Sequence, residues 1–271
     1  MKFKIAIVSL LVICAGILVS TWRGMPELGS GAIGESVSID LPNGETLVMK
    51  YCPGGKFTMG SPAGEENRLD NEDQVEVELS SHYWMAETEC TQAQWVALMG
   101  TNPSKFKGER LPVETVSWDD AQAYVSKLNE TVKPPAGWKW SLPSEAQWER
   151  ACRAGTTTAF CFGDDDKELT DYVWFSNNSE QHIHPVRTKK PNPWGLHDMH
   201  GNVFEWCEDY YVVKLPGGRD PLLGEGSGRV CRGGSWYFNA DYARSAFRGF
   251  SGPGYAGYGN GFGFRAVLAP G

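Results

Sequence analysis

Gly201-Asn-Val-Phe-Glu-Trp206, then Arg232-Gly-Gly-Ser-Trp236, then Gly263-Phe-Arg265: these three stretches carry the reading of the fold. The chain around them is rich in turn formers, with 32 Gly and 16 Pro in 271 residues. That is about 18%, above the roughly 12% of an average chain and below the ~25–30% that marks disorder. A folded, loop-rich protein is expected. Eleven Trp, ten Tyr and twelve Phe supply large surfaces for burial, ~150–250 Å² each. The net charge of −8 argues against a nucleic-acid binder, which needs a basic stripe to neutralise phosphates. It disfavours anionic membrane surfaces for the same reason. The length allows one large domain or two small ones, and from about residue 47 onward no break divides the chain.

Further toward the N-terminus, Lys2 and Lys4 precede an apolar run from Ile5 to Ser20. Sixteen residues reach about 24 Å as a helix, short of the ~30 Å hydrocarbon core. Residues 1–23 are therefore expected to be an export signal, a lipoprotein signal or an uncleaved anchor. Leu11-Val-Ile-Cys14 resembles a lipoprotein processing site, which implies acylation of Cys14, although Ile13 stands where such sites carry a small residue. All three readings place the remainder outside the cytoplasm. Residues 24–46 are expected to be a tether, and 47–271 the folded domain. Cys52, Cys90, Cys152, Cys161, Cys207 and Cys231 then remain. In an oxidising compartment they permit three disulfides, in any of about fifteen pairings.

Three helices announce themselves by their N-terminal chemistry. Thr91-Gln-Ala-Gln94, Ser117-Trp-Asp-Asp120 and Ser144-Glu-Ala-Gln147 place a capping hydroxyl three residues before a side chain able to reach back. The first predicts a helix over 92–99. The second opens a run with Ala121, Tyr124, Val125 and Leu128 on one helical face. The third ends at Ala154-Gly155, a C-cap signal. Strands are predicted at Leu47–Met49, Gln74–Leu79, Arg229–Arg232 and Phe264–Leu268, and most of 155–260 as loop. These elements make an α+β domain of short helices, small antiparallel sheets and long loops.

Eight segments together narrow this further. Pro53-Gly-Gly-Lys-Phe-Thr-Met-Gly60, Glu87-Thr-Glu-Cys-Thr-Gln92, Leu111-Pro-Val-Glu-Thr-Val-Ser-Trp118, Leu142-Pro-Ser-Glu-Ala-Gln-Trp-Glu149 and Asn192-Pro-Trp-Gly-Leu196 precede the three quoted first. In order and spacing they resemble the formylglycine-generating enzyme (sulfatase-modifying factor) family across about 48–268. The resemblance implies a C-type-lectin-like fold. In the oxidising members two cysteines follow Gly-Gly-Ser-Trp and bind copper; the matching positions here hold Phe238 and Ala243, neither a thiol, so the family's oxidation chemistry is not expected. Iron-dependent relatives draw histidines from an additional helical domain for which this chain has no room. A calcium site of the family maps onto Asp198, Gly201, Val203 and Glu205, a set of oxygen donors suited to a hard cation. The competing reading has Asp198 capping a turn and Glu205 pairing an arginine. A second family calcium position, near Trp174-Phe-Ser176, lacks its Asn and is not carried over. No cofactor beyond that calcium is expected. His182-x-His184 and His197-x-x-His200 could bind a metal, against a reading as loop and surface histidines, and Asp164-Asp-Asp166 reads as a solvated turn.

The segment from Tyr237 to Gly263 departs from an enzyme. Its 27 residues hold eight Tyr or Phe and seven Gly, and no Lys, Glu, Gln, Met or Trp, types that fill about a fifth of an ordinary chain. An asparagine codon randomised at its adenines yields Tyr, Phe, Gly, Ser, Ala and Asp, and never those five. The pattern resembles the variable region of target proteins of diversity-generating retroelements, of the treponeme variable protein type. Tyr and Phe give large contact area for few rotatable bonds, with Gly and Ser supplying adaptable backbone, as in paratopes. Tyr237, Phe238, Asn239, Tyr242, Phe247, Phe250, Tyr255, Tyr258 and Phe262 are thus expected to line one exposed surface or pocket. Arg232, Trp236, Arg244, Arg248 and Arg265 are expected to hold the scaffold beneath, the arginines pairing carboxylates bidentately. The function expected is capture of a variable protein or small-molecule ligand by a non-catalytic, monomeric, surface-displayed domain, with membrane contact only through the N-terminal anchor. The alternative is an oxidoreductase or accessory factor acting on sulfatases.

Overall fold

The computed structural model describes residues 22–23, 31–257 and 261–271. Cys14 and Tyr258, and nearly all of the expected export segment, lie outside the described residues.

The strands in chain order are β1 Trp22–Arg23, β2 Ser36–Asp40, β3 Thr46–Cys52, β4 Gly55–Met59, β5 Val75–Leu79, β6 Tyr83–Ala86, β7 Trp138–Ser141, β8 Phe204–Tyr210, β9 Gly218–Arg219, β10 Arg229–Arg232, β11 Gly249–Ser251, β12 Phe262–Gly263 and β13 Val267–Pro270. The helices are α1 Gln92–Met99, α2 Trp118–Thr131, α3 Glu145–Arg153 and α4 Leu169–Tyr172. They build an antiparallel six-stranded sheet β1-β2-β3-β6-β13-β7, a four-stranded sheet β11-β10-β8-β12 and a three-stranded sheet β4-β5-β9. The α+β expectation holds. The last strand, β13, inserts between β6 and β7. The segment before it, from β10 to β12, is therefore a loop pinned at both ends to sheet.

The tether boundary needs correcting. β2 and β3 form a hairpin pairing Val37 with Met49 and Ile39 with Leu47. Val37, Ile39 and Leu41 are buried in the larger core with Trp84, Trp95 and Trp140. The alternating Val37 and Ile39 of β2 are few and stand among small residues, so composition alone conceals the strand. The folded unit thus begins by Ser36.

All three helix starts are capping boxes: Thr91 with Gln94, Ser117 with Asp120 and Ser144 with Gln147 each exchange hydrogen bonds reciprocally. Ala154 ends α3 in the left-handed region, φ 48°. The seven-residue β8 escaped prediction because it sits in the most motif-dense part of the chain, and its burial is nearly continuous rather than alternating.

The six cysteines at 52, 90, 152, 161, 207 and 231 are all free and buried, which corrects the disulfide expectation. Each fills core volume as a small hydrophobe. Burial pushes the Cys52, Cys90 and Cys152 thiols up to about 12, so they stay protonated and unreactive.

Two outcomes follow. Ser144→Ala removes one side of the α3 box and should lower stability by about 0.5–2 kcal/mol, read as a shifted urea midpoint with unchanged slope. Alkylation without reductant should leave these six thiols unmodified in the native protein and modify all six in denaturant, mapped by peptide mass spectrometry; a recovered disulfide would contradict the arrangement.

Candidate binding surface

The segment following β10 begins at Gly233-Gly234, both with positive φ. A Cβ on Gly234 would lie 2.8 Å from the Tyr242 carbonyl carbon, so only glycine lets the chain fold back over itself here. Trp236, buried, donates its backbone N–H to Asn202 and accepts from Ser179 Oγ through its carbonyl. Ser176 N–H donates to the Phe238 carbonyl at 3.0 Å.

Four buried guanidiniums hold this loop from below. Arg248 forks onto Glu145 (2.7 and 2.9 Å) and donates to the carbonyls of Asn71, Val212 and Val213. Arg244 forks onto Glu72, both bonds 2.8 Å, and reaches Glu65 and the Asn67 carbonyl. Arg265 forks onto Glu205 at 2.7 and 2.6 Å. Arg232 pairs with Glu149 and donates to the carbonyls of Ser245, Ala246 and Phe247. Burial alone would raise the Glu149 carboxyl, but Arg153 and Arg232 beside it bring it below the ordinary carboxylate range. The expected arginine scaffold is present, with three of the four pairs bidentate.

On this frame lies a run of rings. Trp236, Tyr237, Phe238, Tyr242 and Phe247 follow one another at centroid separations of 5.4, 5.6, 4.9 and 4.8 Å. Phe204 of β8 touches Phe238 and Phe262, and Tyr255 stands edge-on to Phe262. Tyr237, Tyr242 and Tyr255 are 58%, 36% and 45% exposed; Asn239 is exposed and Phe238 half-buried. Phe247 and Phe262 are buried at 8% each, a correction to their expected solvent-facing role. They fill the space over Phe204 and Trp206 and form the floor of the surface rather than its face. Phe250, though 50% exposed, stacks on Tyr211 at 4.2 Å and makes no ring contact with the run, so it belongs to a different patch.

Sequence reasoning missed the neighbours that share this surface. A cavity of about 700 Å³ adjoins it, lined among others by Glu65, Asn67, Phe160, Phe175, Asn239 and Asp241. Asn67 Nδ2 donates to Asp241 Oδ1 at 2.9 Å. No spacing in the sequence signals a contact between residues so far apart along the chain. Asp164, Asp165 and Asp166 are exposed, as the solvated-turn reading expected.

The carboxylates of the expected calcium set have other partners. Glu205 Oε2 accepts from Arg265 Nε and Trp148 Nε1, and Oε1 accepts from Arg265; a guanidinium already supplies its positive partner. Val203 N–H donates to Glu89, and Gly201, at φ 85°, has the Trp174 carbonyl 2.2 Å from where a Cβ would lie. Asp198 Oδ2 accepts from Arg187 N–H, and its Oδ1 is buried without a partner. Burial pushes the Asp198 carboxyl up to about 6, and burial, then Asp198 and Glu205, raise that of Glu89. Of the four carboxylate oxygens that Asp198 and Glu205 bring, only Asp198 Oδ1 is without a partner, against the roughly 6–8 oxygens calcium takes. Glu205 pairs an arginine, as the competing reading expects, while Asp198 reaches back to Arg187 rather than capping its own turn. His200 is also not a surface residue: it is buried, with Nδ1 2.7 Å from the Ala243 carbonyl and Nε2 accepting from Cys161 N–H.

Residues 41–270 match the Sulfatase-modifying factor enzyme 1-like domain. The chain belongs to this family. Treponema denticola variable protein 1 superposes on this sulfatase-modifying-factor-like domain with a TM-score of 0.77 at 30% identity, covering 84% of this chain and 97% of that one. The chaperone protein LppX of Paenibacillus barcinonensis is 30% identical over 216 residues, 62% of this chain and 74% of its own. The formylglycine-generating enzyme of Streptomyces coelicolor is 27% identical over 263 residues, 70% of this chain and 79% of its own. Family membership therefore spans relatives named for catalysis and relatives that are not.

The frame and the floor are both testable. Arg265→Met strands a buried Glu205 and should cost about 3–5 kcal/mol, whereas the double variant with Glu205→Met should recover much of that loss; denaturant titrations of the cycle measure the coupling. Phe247→Ala should cost about 3–5 kcal/mol, seen as a lowered melting temperature.

Proposed function

We propose that the domain is a non-catalytic ligand-capture module displayed outside the cytoplasm, with Tyr237, Phe238, Asn239, Tyr242 and Tyr255 as its contact residues and the segment 237–263 diversified by a retroelement. The observation that carries this reading is the pairing of exposed, mutually touching rings with a backbone held by buried arginines that do not depend on those rings. Aromatic anchors dominate interface energies, and the side chains at these positions can change without disturbing the ion pairs below. The likeness to a protein named as a variable protein supports the same reading. Phe238 and Ala243 offer no thiol where the family's copper chemistry is expected to need one, and the nearby Cys152, Cys161 and Cys231 are buried. The partner is a protein or small molecule rather than nucleic acid, given the net charge of −8, and the domain acts as a monomer. Among the described residues no helix is long and apolar enough to cross a membrane; attachment is assigned to the N-terminal segment, with Cys14 the candidate acylation site.

Sequencing the flanking DNA tests the proposal. A reverse transcriptase gene and a near-copy of the 3′ segment with adenines at the codons for 237, 239, 242 and 255 are the expected result. Substitutions in a population spread evenly over the domain, with no such repeat, would overturn it. The second reading, a sulfatase-maturing oxidase, predicts oxygen uptake on a cysteine-containing sulfatase peptide; no turnover is expected.

A further inference from the structure

Beside the aromatic run, two imidazoles are held in a fixed tautomer with one nitrogen each to spare. His182 Nδ1 lies 2.8 Å from the Ile183 carbonyl, and His184 Nε2 lies 2.8 Å from the Ser179 carbonyl. A carbonyl only accepts, so both of these nitrogens carry the hydrogen. In the neutral rings the other nitrogens, His182 Nε2 and His184 Nδ1, carry lone pairs, and they make no hydrogen bond with the described residues. An N–H donated to a backbone carbonyl is the arrangement that orients histidines as metal ligands and raises their basicity. Both side chains are half-buried and so reachable from solvent. His184 is clamped, its ring flat on Trp174 at 3.6 Å and its backbone N–H donated to Asn202 Oδ1.

The two rings lie side by side. Their centroids are 4.4 Å apart and their planes 41° from each other. Imidazole nitrogen suits zinc, copper and nickel alike. The geometry points to a two-imidazole chelate at His182 and His184 for a late divalent transition metal. Among the described residues no group of three or more His, Cys, Asp and Glu side chains is placed to hold a metal, so the two imidazoles are the protein ligands of the proposed site and water or an outside ligand would complete it. His182 is 6.3 Å from Phe106, which is 5.8 Å from Trp236. The ion therefore sits at the edge of the ring surface, and its binding does not depend on what that surface captures.

Calorimetric titration of the full chain with nickel(II) chloride, with electron paramagnetic resonance of the copper(II)-loaded form, tests this. One saturable site and hyperfine coupling to two imidazole nitrogens are expected. His182→Phe and His184→Phe, which keep a ring against Phe106 and Trp174, should each weaken binding about tenfold or more with the melting temperature unchanged. Absence of a saturable site, or unaltered affinity in the double variant, would overturn the assignment.

Discussion

Four guanidiniums sealed beneath the C-terminal loop are the constraint on which the rest depends. A buried charge is tolerable only when it is paired and its hydrogen bonds are satisfied. Arg232, Arg244, Arg248 and Arg265 meet that condition together through Glu149, Glu72 and Glu65, Glu145 and Glu205. All four arginines lie in or beside the segment from β10 to β13, and all their carboxylates lie elsewhere: in the loop after β4, in α3 and in β8. The ion pairs therefore tie an irregular loop to three separate parts of the scaffold. A loop of this length would otherwise have to be held by burying its own side chains. Here the backbone carbonyls of 245–247 and the guanidinium forks do that work, which frees several side chains to face water.

The division of labour along the tail follows from this. Phe247 and Phe262 point into the core with Phe204 and Trp206, while Tyr237, Asn239, Tyr242 and Tyr255 remain outside. Replacing an outer residue removes area from the surface and little from the core. A replaceable face on an irreplaceable frame is what a diversified binding protein needs, and what an enzyme, with its fixed reacting groups, does not.

Much of this was legible in the sequence because its signals are local or belong to the family's motifs. The three capping boxes, at Thr91, Ser117 and Ser144, fixed helix starts to the residue, since a hydroxyl and a reciprocal side chain three apart have few other uses. Of the arginine scaffold, Arg232 and Arg265 stand in the family's motifs, and the bidentate geometry follows from guanidinium and carboxylate shape. What escaped was non-local or depended on which way a ring turns. Composition could not separate Phe247 and Phe262 from Tyr237 and Tyr242, because aromatic residues serve floors and faces equally. The β2 strand was hidden by small residues around its alternating Val37 and Ile39. An oxidising compartment permits bridges among the six thiols, whereas packing buries each of them unpaired.

The most direct test of the separation between face and frame is a saturation library at Tyr237, Asn239, Tyr242 and Tyr255 and at Arg232, Arg244, Arg248 and Arg265, sorted by protease resistance. The account predicts that the first four positions accept nearly every residue type without loss of resistance, while each arginine position accepts almost none but arginine. Equal intolerance at both sets of positions would contradict it.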